Sequence, residues 1–234
     1  MLGYEGKYVY LRYKLFDMNL SILIKQYFAS TSNDITIDVF DEKNIYDVYQ
    51  RVVGMLTQYI DIETTVLQAM SYCFYEILDN VLTHSGKEMG TVITHYDASR
   101  HVLGFLVADD GMGVQASLTE NEKYALMSEP EALKMCIKDA ITDGKGMGFG
   151  LYSTSLLARD AGLIFEVRSG HHTMWVQDGV ESTMESDFWQ GTIVYLQLCT
   201  NKEINPAEVV ANRTNVAAQY NETFLNDNEL QELW

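Results

Sequence analysis

The stretch "VLGFLVADDGMGV" (102–114) restricts the fold more than any other part of the chain. An apolar run of strand character ends in Asp109 and Asp110 and passes at once into Gly111 and Gly113. A second glycine cluster, "GKGMGFGLYS" (144–153), follows roughly thirty residues later and leads into a helical pattern. Glycine weakens a regular element and is useful where backbone turns sharply or approaches another atom closely. Two such places, one closing a strand and one opening a helix, point to a single ligand held from two sides.

The rest of the chain reads as alternating elements. "KYVYLRYKLF" (7–16) is rich in β-branched and aromatic residues and predicts a strand, "DMNLSILIKQYF" (17–28) a short helix, and "DITIDVF" (34–40) a second strand. Residues 44–59 and 63–84 predict two helices, the second with an apolar stripe at Val66, Met70, Cys73, Ile77 and Val81. "GTVITHYD" (90–97) and "HVLGFLVAD" (101–109) predict strands joined by a hairpin at Ala98–Arg100, so the sheet is at least partly antiparallel. Thr119 with Glu122, and Ser128 with Glu131, have the spacing of a reciprocal helix cap and predict short helices between the glycine clusters. A helix over "LYSTSLLARDA" (151–161) and strands over "LIFEVRS", "TMWVQD" and "GTIVYLQL" complete the core, with a polar tail or arm from Asn201. Two prolines and no Ser/Gly-rich tract argue for one compact body without an internal linker. The organisation expected is an N-terminal α/β extension (1–60), a main domain (61–200) and the tail (201–234).

Charge limits the partners. With 33 acidic against 16 basic residues, a net charge of -17 and no basic run, the surface repels nucleic acid backbones and anionic membranes. A nucleotide remains compatible, because backbone amides hold phosphates without cationic side chains. The N-terminal "MLGYEGKYVY" has no basic start followed by an apolar stretch, so a cytoplasmic location is expected. The widely spaced Cys73, Cys136 and Cys199, each in an apolar segment, are then expected to be reduced core residues.

Three places carry chemistry. On the predicted helix "FYEILDNVLTHS", Glu76, Asn80 and His84 are spaced by four and stack on a face about 100° from the Ile77 stripe. A carboxylate, an amide and an imidazole on successive turns suit a general base, a magnesium ligand and a phosphate neighbour, although a solvated face gives the same pattern. Asp109, at a strand end before Gly111 and Gly113, suits an acceptor for an exocyclic amine such as that of adenine, against a plain Asp-Gly turn. Gly146, Gly148 and Gly150 at alternate positions before a helix can present amides to an anion at its positive end. Lys145 beside them is either a phosphate contact or an exposed loop tip. The adjacent His171 and His172 read as a plain hairpin rather than as a metal site.

Taken together, these segments resemble the four boxes of the GHKL superfamily, the ATP-binding fold (Bergerat fold) of gyrase, the heat-shock chaperone ATPase, histidine kinases and mismatch-repair ATPases. The helix resembles the N box, "DDGMG" and "GKGMGFGL" the two glycine boxes, and "QGT" (190–192) the final Gly-Thr element, over roughly residues 60–198. The resemblance implies a two-layer α/β sandwich with a mixed sheet, helices on one face and a small N-terminal α/β extension. It implies ATP and Mg²⁺ as ligands. Asn80 would be the magnesium ligand, His84 a phosphate neighbour and Asp109 the reader of the adenine amine, with Gly111 and Gly113 admitting the base. Lys145, Gly146, Met147, Gly148, Phe149, Gly150 and Leu151 would close over the phosphates and Thr192 would support the adenine side. The segment from about Val114 to Asp143 would be the ATP lid, which orders on nucleotide binding.

Within that superfamily the first histidine, His84, already lies in the N box, so the phosphoacceptor histidine of a sensor kinase is not expected upstream in this chain. The chain looks most like the anti-sigma-factor type of serine/threonine kinase. Glu76 would then be the base, acting on a hydroxyl of a partner protein, and the enzyme an ATP-dependent phosphotransferase. An ATP-hydrolysing switch, with Glu76 activating water, and a non-catalytic ATP sensor stay open, as does a homodimer.

Overall fold

The computed structural model describes residues 21–28, 35–59, 64–139, 141–145 and 150–201. The predicted strand over 7–16, the glycine-cluster residues Gly146, Met147, Gly148 and Phe149, and the tail beyond Asn201 lie outside the described residues. In chain order the elements are β1 (Ile35–Asp41), α1 (Ile45–Tyr59), α2 (Thr64–His84), β2 (Met89–Asp97), β3 (Val102–Ala108), α3 (Gly113–Thr119), a short 3-10 turn (Glu122–Tyr124), α4 (Glu129–Met135), α5 (Gly150–Asp160), β4 (Ile164–Gln177) and β5 (Val180–Cys199). β1 and α1 fall inside the 1–60 extension as read from the sequence, yet both are built into the same sheet and core as the residues that follow.

The five strands form one sheet in the order β1-β2-β3-β5-β4, and every neighbouring pair is antiparallel. The expectation of a mixed sheet is therefore corrected. Two helices, not one, connect β1 to β2, so the chain returns in the opposite direction. The segment ending in α5 does bring β4 back parallel in direction to β3, but β5 then doubles back from β4 and slots between them. A crossover that would have made a parallel pair is split by the last strand.

The α2 stripe is as predicted: Val66, Met70, Cys73, Ile77 and Val81 are all at most 5% exposed. Apolar residues three and four apart leave one face of a 3.6-residue helix continuous, and that face packs with Val48, Val52 and Leu56 of α1 and with Phe105, Val107, Phe165 and Val167 of the sheet. Helices are not confined to this face. The helical segment over residues 21–27 lies on the other, where Leu23 and Phe28 bury Ile93, Leu106, Ile193 and Tyr195. It is tied down by a buried polar group: Tyr27 donates its hydroxyl to Glu166, and Gln26 Oε1 accepts from Arg168 Nη1 at 3.2 Å. Burial pushes the Glu166 carboxyl upward.

The predicted strands "LIFEVRS" and "TMWVQD" are one strand, β4, interrupted by a bulge near Gly170. "GTIVYLQL" is only the second half of β5. The added half, residues 180–190, pairs with β4 through a two-residue turn at Asp178 (φ 50°) and Gly179 (φ 75°), the backbone of a type I′ hairpin. His171 and His172 lie at the bulge within this strand, not at a hairpin turn.

Of the two predicted caps, Ser128 and Glu131 form the reciprocal pair at the start of α4. Thr119 does not: it is the last residue of α3, and its hydroxyl donates back to Gln115 O at 2.9 Å, while Asn121 caps the 3-10 turn. No disulfide links the three cysteines: Cys73 is buried in the core, Cys136 is half-buried against it, and Cys199 is exposed at the end of β5. Among the described residues no helix is long and apolar enough to cross a membrane.

Candidate functional site

The polar face of α2 meets the start of α5. Glu76 and Asn80 are half-buried, and Gly150, the first residue of α5, is buried against them. A Cβ at Gly150 would lie 2.7 Å from Glu76 Oε2, 3.1 Å from Glu76 Cβ and 3.4 Å from Asn80 Nδ2, so any larger residue here would make the Glu76 side chain shift. A helix N-terminus carries unpaired amides and partial positive charge, and here it adjoins a carboxylate and an amide. Leu151, next on α5, is half-buried against the main core.

Burial, reinforced by the neighbouring Asp79 and opposed by His84, pushes the Glu76 carboxyl up to about 7. A carboxylic acid that titrates near neutrality is suited to accept a proton from a weak nucleophile. Asn80 Nδ2 is buried with no hydrogen-bond partner among the described residues. A buried amide left unmatched costs free energy unless a ligand completes it.

Asp109 closes β3 and is 3% exposed. Its Oδ1 accepts from Gly111 N at 2.8 Å, its own N–H donates to Thr192 O at 3.0 Å, and its carbonyl accepts from Trp189 Nε1 at 3.0 Å. Burial pushes its carboxyl up to about 6, against the pull of the Gly111 and Thr192 amides. Asp109, Gly111, Gly113 and Thr192 are thus brought together, but the room made by the two glycines is taken by the protein itself. A Cβ at Gly111 would fall 2.3 Å from Ser85 O, and one at Gly113 2.5 Å from Ser169 Oγ. These glycines seat the loop on the end of α2, where Met112 N donates to Ser85 O, and on β4, where Ser169 Oγ accepts from Val114 N.

His84 and Lys145 converge elsewhere, on Asp143. His84 Nδ1 is 2.7 Å from Asp143 Oδ2, and Lys145 donates its backbone N–H to Asp143 Oδ1 at 2.9 Å. The Lys145 ammonium, expected at a phosphate, is paired 2.7 Å from Glu120 Oε2 on the chain just after α3. The expected lid is folded against the body: Val114, Leu118, Ala132, Leu133 and Ile137 belong to the main core.

Several participants were not singled out from the sequence. Gly191 (φ 96°) covers the Asp109 loop so closely that a Cβ would lie 2.4 Å from Asp109 O. Its place between Gln190 and Thr192 was the available signal. Ser85, Ser169 and Asp143 carried none, because each acts on a residue distant in sequence. His172 Nδ1 and the His171 N–H both meet Glu129 Oε2, at 2.9 and 3.0 Å, clamping α4 to β4. Among the described residues no group of three or more His, Cys, Asp or Glu side chains is arranged to hold a metal ion. Behind the Asp109 loop a groove of about 100 Å³ runs between α3, α4 and the β4–β5 ribbon, lined by residues that include Gln115, Leu133, Phe188 and Trp189. Neither Asp109 nor Asn80 lines it.

A magnesium–nucleotide would ask little of the protein's own donors. Magnesium keeps several waters and takes few protein oxygens beside phosphate, so only the Asn80 amide oxygen would be asked of the protein; the unmatched Nδ2 is a donor and fits a phosphate oxygen, not the metal ion. No family model matches the chain, and no curated protein matches it significantly in sequence.

Proposed function

We propose that this chain is a GHKL-type protein of the Bergerat fold that binds Mg²⁺-ATP along the second half of α2. It transfers the γ-phosphate to a serine or threonine hydroxyl of a partner protein, in the manner of an anti-sigma-factor kinase. The observation that carries the reading is the meeting of Glu76, Asn80 and Gly150: a carboxyl, an unmatched amide and a helix N-terminus in close contact. The ordered boxes in the sequence supply the nucleotide; the raised carboxyl of Glu76 supports the chemistry.

In this reading Asn80 would hold the magnesium through its amide oxygen, and the resemblance assigns Asp109 to the adenine amine. ATP with its metal ion supplies the phosphoryl group and the neutralisation of its charge when bound. The α5 N-terminus at Gly150 stabilises the phosphate oxygens. Glu76 takes the proton of the attacking hydroxyl as the new O–P bond forms and ADP departs. Transfer of this kind depends on positioning and charge stabilisation above all. Glu76 would serve water equally well, which keeps an ATP-hydrolysing switch as the second reading.

The test is release of inorganic phosphate from Mg²⁺-ATP by the purified protein, with Glu76→Gln beside it and ATP binding followed by calorimetry. Binding without turnover means that a partner protein is the missing reactant or that the domain only senses ATP, and phosphorylation of a partner separates the two. Steady turnover lost in Glu76→Gln means an ATPase. No ATP binding by the folded protein overturns both.

A further inference from the structure

Asp143 lies between the two halves of the site and takes part in neither the sequence motifs nor the chemistry above. Its side chain is 1% exposed, and two helices, α2 and α3, converge on it. Oδ2 accepts from Ser117 Oγ of α3 at 2.8 Å and faces His84 Nδ1 at 2.7 Å, while Oδ1 accepts the Lys145 N–H at 2.9 Å. The Lys145 ammonium is 3.8 Å from Oδ2. Burial alone would raise this carboxyl, but the hydrogen bonds from Lys145, His84 and Ser117 outweigh it and hold the group below the usual carboxylate range. An ionised carboxylate only accepts, so the proton between Asp143 and His84 sits on Nδ1. The other ring nitrogen, Nε2, is left to meet whatever arrives beside the last turn of α2, and the ring is still 27% exposed.

The same side chain controls a second part of the site. Through the Lys145 N–H it fixes the backbone that enters the second glycine cluster, and Thr142 Oγ1, one residue before it, accepts from Gly144 N at 3.1 Å. The imidazole at the end of the N-box helix and the first residues of the phosphate-side loop are therefore held by one carboxylate.

We propose that Asp143 is a positioning residue. It fixes the His84 ring with Nδ1–H turned inward and Nε2 facing the phosphate side of the bound nucleotide, and it sets the loop entering the second glycine cluster against that ring. The inference rests on the nucleotide reading for the phosphate, and on the geometry alone for the His84 tautomer. A carboxylate behind a histidine commonly fixes its tautomer and orientation, and losing such a partner typically costs 10- to 100-fold in function.

The experiment separates the two. In the full-length protein, ¹⁵N chemical shifts of the His84 ring are read without ligand and with Mg²⁺-ATP, using His84→Gln for assignment. The ligand-free protein gives a ring with Nδ1 protonated, and Asp143→Asn loses that signature. A ligand-free ring protonated on Nε2 alone overturns the positioning role, whatever ATP does. Calorimetry with Mg²⁺-ATP then gives roughly tenfold weaker binding for Asp143→Asn and for His84→Gln. The double variant is no weaker than the poorer single one, because both changes remove the same contact. Losses that multiply to about a hundredfold in the double variant show that Asp143 does not act through His84 and overturn the proposal. If the wild-type protein binds no ATP while its ring shows the expected tautomer, the nucleotide reading fails, and with it the phosphate-facing part of the proposal; the tautomer assignment stands.

Discussion

Replacing Glu76 with glutamine tests the site without any ligand. The carboxyl is pushed from 4.5 to about 7, chiefly by burial. At about 1.4 kcal/mol per unit this corresponds to a ceiling of about 3 kcal/mol, and the partial exposure of the side chain reduces the expected value to about 1–2 kcal/mol. The sign follows from proton binding. A raised carboxyl means that the folded state holds the proton more tightly than the unfolded chain, so this stability is fully present below pH 4.5 and is lost as the pH rises through 7. Glutamine has the same shape and does not ionise. Glu76→Gln should match the wild type in urea denaturation at pH 4.5 and exceed it by about 1–2 kcal/mol at pH 8, a rise of roughly 3–6 °C in melting temperature. Asp109 titrates in both proteins and cancels from the difference. A difference that is flat with pH, or a variant less stable than wild type at pH 8, would refute the argument that Glu76 is a desolvated acid. It would also remove the physical basis for calling it the base.

The remaining predictions address single contacts. Gly150→Ala places a methyl 2.7 Å from Glu76 Oε2 and should cost about 1–3 kcal/mol in chemical denaturation, with ATP binding weakened as α5 is displaced. Gly191→Ala adds a Cβ at φ 96° against the Asp109 carbonyl and should cost more than about 2 kcal/mol, with Trp189 fluorescence changed. Asp109→Asn, which removes a charged acceptor, should weaken ATP by roughly tenfold or more in calorimetry. Ser128→Ala should lower stability by about 1 kcal/mol through loss of the α4 cap, whereas Thr119→Ala should have no capping effect.

The contrast between those two caps shows what a sequence makes legible. Both have a hydroxyl and a carboxylate three residues apart, but the Thr119 hydroxyl is already satisfied within its own helix. Local spacing cannot reveal a competing local partner. The α2 helix was readable because its burial has a period, and the same period placed Glu76 and Asn80 on one side. Residues 180–190 of β5 were not readable, since the ribbon is exposed along most of this length and "VESTMESDFWQ" has no apolar alternation; the Asp178–Gly179 turn was its clear marker. The antiparallel sheet could not be foreseen from element order, because order does not say that β5 enters between β3 and β4. Asp143 was invisible for a related reason: its histidine lies 59 residues away, and no periodicity links them.

The central place of β5 has a consequence for how the molecule comes into being. Asp109 ends one neighbour of this strand, and β4, the other neighbour, follows directly from the helix that Gly150 begins, so within the sheet β5 is the strand that joins them. On a ribosome, β3 and β4 must wait with open edges until residues up to Cys199 have emerged, a non-local closure of the kind that slows folding and leaves hydrogen-bonding edges exposed. A nascent chain halted before β5 has both glycine clusters and no frame to hold them in register. The Asp109 loop therefore gains its seat against Thr192 and Trp189 only once β5 is made, and a chain arrested or clipped before β5 is expected to be a target for chaperones and proteases.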